Sequence, residues 1–236
     1  MTLPDLHDAM EPTWPPAATQ HLGPWLLRQG DGGGKRVSAA SALAGVTSGD
    51  LAMAEAAMRA MGQEPLFVIR PADVALDAML AAQGYRVVDP VMIYAAACAP
   101  LAVLHLPDLA AIAHWPPLEI ARSLWAEGGI GPERVAVMER VALAKTVFLG
   151  RAADRSAGVG FVAAAGKVAF VHALEVRPAL RRLGTGRHIL IAAARWAMAQ
   201  GAGQLALAVT VANGPARHLY ATLGMVVEGQ YHYRQE

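Results

Sequence analysis

The chain has 236 residues, 55% of them hydrophobic and only 17% charged, which is too apolar for a disordered polymer and long enough for one large domain or two small ones. With 20 basic against 19 acidic residues the net charge is +1, so no bulk attraction to nucleic acid or anionic lipid is expected and any anion site must be local. The apolar stretch Val91 to Pro107, which has no acid, lysine or arginine, falls short of the ~20 residues of a spanning helix and is broken by Pro100.

The first residues carry acids and prolines where a secretory leader would carry a basic segment and an apolar run. The single cysteine, Cys98, has no partner for an internal disulfide, and the eight histidines are scattered without metal-ligand spacing. A cytoplasmic protein with no metal, no membrane and no nucleic-acid partner is the expectation.

Residues 1–13 read as a tail. Trp14-Pro15-Pro16 follows, and Trp115-Pro116-Pro117 repeats it 101 residues later, each ahead of a stretch in which proline suits a helical first turn. Gly30, Gly32, Gly33 and Gly34, set between WLLRQ and KRVSAASAL, read as a hairpin turn. From Leu66 the sequence LFVIRPADVALDAMLAAQGYRVVDPVMIY reads as strand, loop, helix, glycine stop, strand. It lies against LALAVTVANGPARHLYATLGMVVEGQYHY from Leu205 at an offset of 140, with Gly84 on Gly224, Asp73 on Asn213 and Leu80 on Tyr220. These matches divide the chain into a smaller half over 14–98, a connection over 99–114 and a larger half over 115–236. The fold class expected is α/β, two mixed sheet halves flanked by helices, the second complete and the first reduced.

In the second half, KVAFVHALEV from Lys167 to Val176 suits a buried strand whose polar members are His172 and Glu175. RRLGTG comes next, then a helical run with Ile189, Ala192, Ala193 and Trp196 on one face, closed by Gly201. A glycine loop opening a helix offers free amides at the positive end of the helix dipole, and Arg181, Arg182 and Arg187 add charge suited to a pyrophosphate. Neither common nucleotide motif fits: Ile189 stands where the third glycine of GxGxxG belongs, and no GK[ST] occurs.

The segments V-x-P-x-x-R-R-x-G-x-G (Val176 to Gly186), N-x-x-A-x-x-L-Y-x-x-L-G (Asn213 to Gly224) and YHYR (Tyr231 to Arg234) together resemble the acyl-CoA site of the GCN5-related N-acetyltransferase (GNAT) superfamily. The resemblance covers the second half. The first half matches only through its duplicated end, as in a tandem member with a degenerate N-terminal copy.

It implies acetyl-CoA as co-substrate, bound by the main chain of Leu174 and Val176, by the loop of Arg181, Arg182, Leu183, Gly184, Thr185, Gly186 and Arg187, and by Asn213 and Ala216. It implies that the Val176 amide faces the thioester oxygen and that Tyr220 protonates the departing sulfur. A base must also deprotonate the acceptor. His172 leads, because imidazole titrates near neutrality, and Glu175 is second. Strand alternation puts the two on opposite faces unless a bulge intervenes. The acceptor expected is a small-molecule or peptide amine, and a homodimer is left open. The competing reading is a non-catalytic acyl-CoA sensor or regulatory pseudo-acetyltransferase. No arginine stands between Arg36 and Arg59, so the first half has no second loop of this kind.

Overall fold

The structure, a computed structural model, describes residues 5–236. In chain order the elements are α1 (Leu6–Met10), β1 (Ala18–Leu22), β2 (Trp25–Gln29), β3 (Ser41–Ala42), α2 (Ser48–Ala60), β4 (Leu66–Ile69), α3 (Val74–Ala82), β5 (Arg86–Ala97), α4 (Cys98–Ala102), β6 (Ala111–His114), α5 (Glu119–Glu127), α6 (Pro132–Arg140), β7 (Lys145–Ala152), β8 (Arg155–Ala165), β9 (Val168–Val176), α7 (Thr185–Ala199), β10 (Gln204–Thr210), α8 (Gly214–Thr222) and β11 (Val226–Gln235). None of these helices is long and apolar enough to cross a membrane.

The chain forms two compact units that are not contiguous in sequence. One comprises the N-terminal residues through Pro15, Ile93–Val209 and Asn213–Gly229; the other comprises Pro16–Met92, Thr210–Ala212 and Gln230–Glu236. The division falls inside β5 and β11, not in the stretch over 99–114.

In the smaller unit β1, β2 and β3 form an antiparallel sheet. Gly23-Pro24 makes the β1–β2 turn, with Gly23 at φ +54°, a left-handed value that glycine adopts without a Cβ penalty. The stretch after the first Trp-Pro-Pro is therefore a strand, not a helix: Ala18 to Leu22 pair residue by residue with β2, and this tertiary pairing overrides the proline signal. The glycines at 30–34 do connect antiparallel strands, through a turn closed by Gly33 N donating to Gly30 O at 2.8 Å. Helix α2 opens on a capping box in which Thr47 Oγ1 accepts from Asp50 N and Asp50 Oδ2 accepts from Thr47 N. Trp25, Phe67 and Tyr85 form the aromatic centre of this core, with Phe67 5.0 Å from Trp25 and 5.5 Å from Tyr85 between ring centroids. The end of β11 pairs antiparallel with β4, His232 opposite Ile69 and Gln235 opposite Leu66.

In the larger unit the strand order is β10-β9-β8-β7-β6, parallel between β10 and β9 and antiparallel elsewhere, so the sheet is mixed. The β7–β8 turn is Ala153-Asp154, both at positive φ as the right-handed twist of a tight hairpin requires. β8 is buried from Ala157 to Ala164 because helices and the N-terminal segment cover both its faces. Helix α7 packs on β7, β8 and β9, and α5 packs on β8 and β9. Residues 5–13, expected as a tail, belong to this core: Leu6, Met10 and Thr13 are buried, while residues 1–4 lie outside the described chain.

The duplicated segments share one local plan. α3 and α8 are both nine residues long and start at positions offset by 140, and the glycines after them, Gly84 and Gly224, are both left-handed at φ +89° and +75°.

Candidate active site

The site is built where β9 leaves the sheet. β10 pairs with β9 only from Val168 to Val171, so among the described residues the β10-side edge of His172–Val176 carries no partner strand. On the other edge the β8 register shifts between Val159 and Phe161: Val159 faces Glu175 and Phe161 faces His172, leaving two residues of β9 opposite one of β8. This is a β-bulge, with Ala173 in the left-handed region at φ +49° and its carbonyl accepting from Trp125 Nε1 at 2.8 Å. Val159 and Phe161 share a face of β8, so Glu175 and His172, directly opposite them, share a face too. The alternation expected from sequence is thereby corrected: the extra residue of the bulge reverses the parity.

The other face is made of glycines. A Cβ on Gly150 would lie 2.6 Å from Thr185 Cγ2, one on Gly158 3.0 Å from the same methyl and 2.7 Å from Glu175 O, and one on Gly160 3.1 Å from Ile189 Cγ2. This track lets the first turns of α7 settle onto β7 and β8 beside the bulge. A Cβ on Gly186 would meet Leu219 of α8 at 3.0 Å and Val176 at 4.0 Å, so the loop, β9 and α8 converge there.

The loop itself has the left-handed residues Arg182 at φ +68° and Gly184 at φ +86°. The first internal bond of α7 runs from His188 N to Gly184 O at 2.9 Å, so the amides of Thr185, Gly186 and Arg187 have no acceptor within the helix. Thr185 Oγ1 and His188 Nδ1 are buried without hydrogen-bond partners among the described residues. Burial, then the charges of Arg187 and His105, hold the His188 imidazole below its ordinary pKa. Arg181, Arg182 and Leu183 are exposed, and Arg187 is half-buried. Free amides, a glycine without side chain and orphaned donors at a helix start fit an anionic phosphate chain.

His172 is buried at 5% exposure. Its ring lies 5.0 Å from Trp14 and stacks on Phe170 at 5.9 Å. Nε2 is 2.8 Å from Thr13 Oγ1, which also reaches Met10 O at 2.6 Å, so one hydroxyl ties the ring to the N-terminal segment. Both tryptophans of the repeated Trp-Pro-Pro motif flank Phe161 on β8, Trp14 at 6.2 Å and Trp115 at 5.9 Å.

Glu175 is more open, its side chain 24% exposed, and its Cγ packs where a Cβ on Gly128 at the end of α5 would sit. Glu175 Oε1 accepts from Arg181 Nη2 and from Val176 N, each at 3.2 Å. The amide of Arg177 donates to Ala157 O on β8, so alternation turns the Val176 amide to the unpaired edge. Leu174 and Ala216 are half-buried.

Tyr220 on α8 is buried, with its ring 5.6 Å from Tyr94. Desolvation first, then Tyr94, pushes its phenol well above the ordinary value, so it is protonated at neutral pH. Asn213 caps α8, its Oδ1 accepting from Ala216 N at 3.1 Å. Sequence reasoning missed the glycine track and Thr13. The glycines at 150, 158 and 160 are a signal of close packing, whereas nothing ties Thr13 to His172 before the chain folds.

Residues 129–225 match the family described as the acetyltransferase (GNAT) family. The uncharacterised N-acetyltransferase YobR of Bacillus subtilis (strain 168) is 26% identical over 233 residues, 94% of each chain. Among solved structures, a GCN5-related N-acetyltransferase from Kribbella flavida has a TM-score of 0.72 at 18% identity over 98% of this chain and 94% of that one. A tandem GNAT protein from the clavulanic acid biosynthesis pathway has a TM-score of 0.63 at 16% identity, covering all of this chain and 89% of that one. The structural likenesses are likenesses of fold.

Proposed function

We propose that this chain, whose residues 129–225 match the acetyltransferase (GNAT) family, is an N-acetyltransferase that moves the acetyl group of acetyl-CoA to an amine in a ternary complex. The observation that carries the reading is the glycine loop opening α7 beside the unpaired edge of β9. Acetyl-CoA supplies the acetyl thioester, and the chain supplies everything else. The amides of Thr185 to Arg187 and the arginines of the loop hold its pyrophosphate, and Asn213 and Ala216 border its arm. The Val176 amide donates to the thioester oxygen from a fixed backbone position that needs no reorganisation.

Glu175 takes a proton from the acceptor's ammonium group. This reverses the order in which the sequence ranks the two bases: Glu175 stands on the open part of β9, whereas His172 is buried and hydrogen-bonded to Thr13. The neutral nitrogen forms the C–N bond as the C–S bond breaks. Tyr220 gives its phenolic proton to the sulfur and is restored by the proton the new amide sheds. The smaller half, whose α3 shares the plan of α8 but which has no R-x-x-G-x-G loop, is read as a reduced copy that binds no second acetyl-CoA.

A screen of small amines and peptides with acetyl-CoA, following free thiol, tests the proposal. Acceptor-dependent thiol release supports it. Binding of acetyl-CoA with no release across the panel favours a sensor instead.

A further inference from the structure

Glu175 Oε1 accepts two hydrogen bonds, from Val176 N and from Arg181 Nη2, both 3.2 Å long. Arg181 also donates through Nε to Val176 O at 3.1 Å, so one guanidinium grips both the carboxylate and the strand end that carries the amide. The amide in question lies on the edge of β9 that β10 leaves unpaired. Arg177, the next residue, is committed to Glu127 through Nε at 2.7 Å and Nη2 at 2.6 Å, and Gly128 packs on the Glu175 stem. Arg181 is thus the cation that faces the carboxylate, and it belongs to the loop proposed to hold pyrophosphate.

We infer that the Glu175 carboxylate occupies the Val176 amide in the free chain, and that the thioester oxygen of acetyl-CoA displaces it, releasing the same carboxylate to receive the acceptor's proton. The inference rests on the acetyl-transfer reading above. One N–H cannot fully serve two oxygens, so binding the thioester and freeing the base are a single exchange. Arg181 reinforces it, because a pyrophosphate at the loop competes for the guanidinium that anchors Glu175. The exchange makes binding ordered: the base is engaged until the acetyl donor is in place, so an ammonium arriving first finds the carboxylate already hydrogen-bonded. Glu175 is then a resident plug as well as a catalytic residue.

The test compares calorimetric Kd values for acetyl-CoA and for CoA, which has no thioester oxygen, in the wild type, Glu175→Ala and Glu175→Gln. Removing a carboxylate near a polyanion tightens both ligands, and the ratio of the two Kd values cancels that common effect. In Glu175→Ala the preference for acetyl-CoA over CoA should rise by roughly five- to tenfold, about 1–1.4 kcal/mol. Glu175→Gln, which keeps the shape and a neutral acceptor oxygen, should give a smaller rise. An unchanged preference in both folded variants overturns the inference while leaving acetyl-CoA binding intact. Failure of the wild type to bind either ligand overturns the acetyl-transfer reading itself, and the inference with it.

Discussion

Gly158 on β8 is where the packing of the site is least tolerant. An alanine there would place its methyl 2.7 Å from the carbonyl oxygen of Glu175 and 3.0 Å from Thr185 Cγ2 and Val176 Cγ2. The first contact is with backbone, which cannot swing aside, so either β8 and β9 part next to the bulge or the first turn of α7 lifts. Overpacking of this kind costs about 1–3 kcal/mol. At roughly 2–4 °C per kcal/mol for a chain of this size, Gly158→Ala should melt about 2–12 °C below wild type. Because the displaced atoms are the end of β9 and the start of α7, acetyl-CoA should bind at least about tenfold more weakly, a loss of ~1.4 kcal/mol. Gly203→Ala is the control: a Cβ there meets nothing within 4 Å, and the change should stay within about 0.5 kcal/mol of wild type. Differential scanning fluorimetry with and without acetyl-CoA reads both effects. A Gly158→Ala protein that melts with the wild type and binds acetyl-CoA equally well refutes the close approach of α7 to the sheet.

Tyr220→Phe should keep its packing on Tyr94 and bind acetyl-CoA normally, while turnover falls about 10²–10⁴-fold; normal turnover would remove Tyr220 from the chemistry. Thr13→Val leaves Met10 O and His172 Nε2 without their shared hydroxyl and should destabilise the chain by about 1–3 kcal/mol, which denaturant unfolding measures. Arg234 first, with His232 adding, holds the Asp77 carboxyl below its ordinary value. A depressed folded pKa contributes stability that is present above the unfolded value of ~3.9 and is lost as pH falls through the folded one. Asp77→Asn should therefore lower stability at pH 7, by of order 1 kcal/mol for this part-exposed group, and the gap should close in acid; a gap that widens in acid reverses the sign of the argument.

The repeated ends of the two halves were legible because strand, helix and glycine stop each leave a local signature, and at an offset of 140 they leave it twice. The glycine loop was legible for the same reason. The common face of His172 and Glu175 was not, since the parity of a strand depends on where its neighbour slips, and the slip sits at Ala173, an ordinary residue in a left-handed conformation. Residues 5–13 looked like a tail because a five-residue helix shows too little periodicity to announce its buried face; only the fold brings Thr13 to His172. The division of the chain into non-contiguous units arises from strand pairing between distant segments, such as β11 on β4, which no local pattern encodes.

Calorimetric titration with acetyl-CoA of the wild type and of Gly184→Val tests the account most directly. Gly184 is left-handed at φ +86° and a Cβ there would crowd the His188 ring at 3.1 Å, so a β-branched side chain both strains the loop and obstructs it. The wild-type chain should bind one acetyl-CoA, and a Gly184→Val protein that still folds should lose affinity. Two equivalent sites, or undiminished binding in the folded variant, would contradict it.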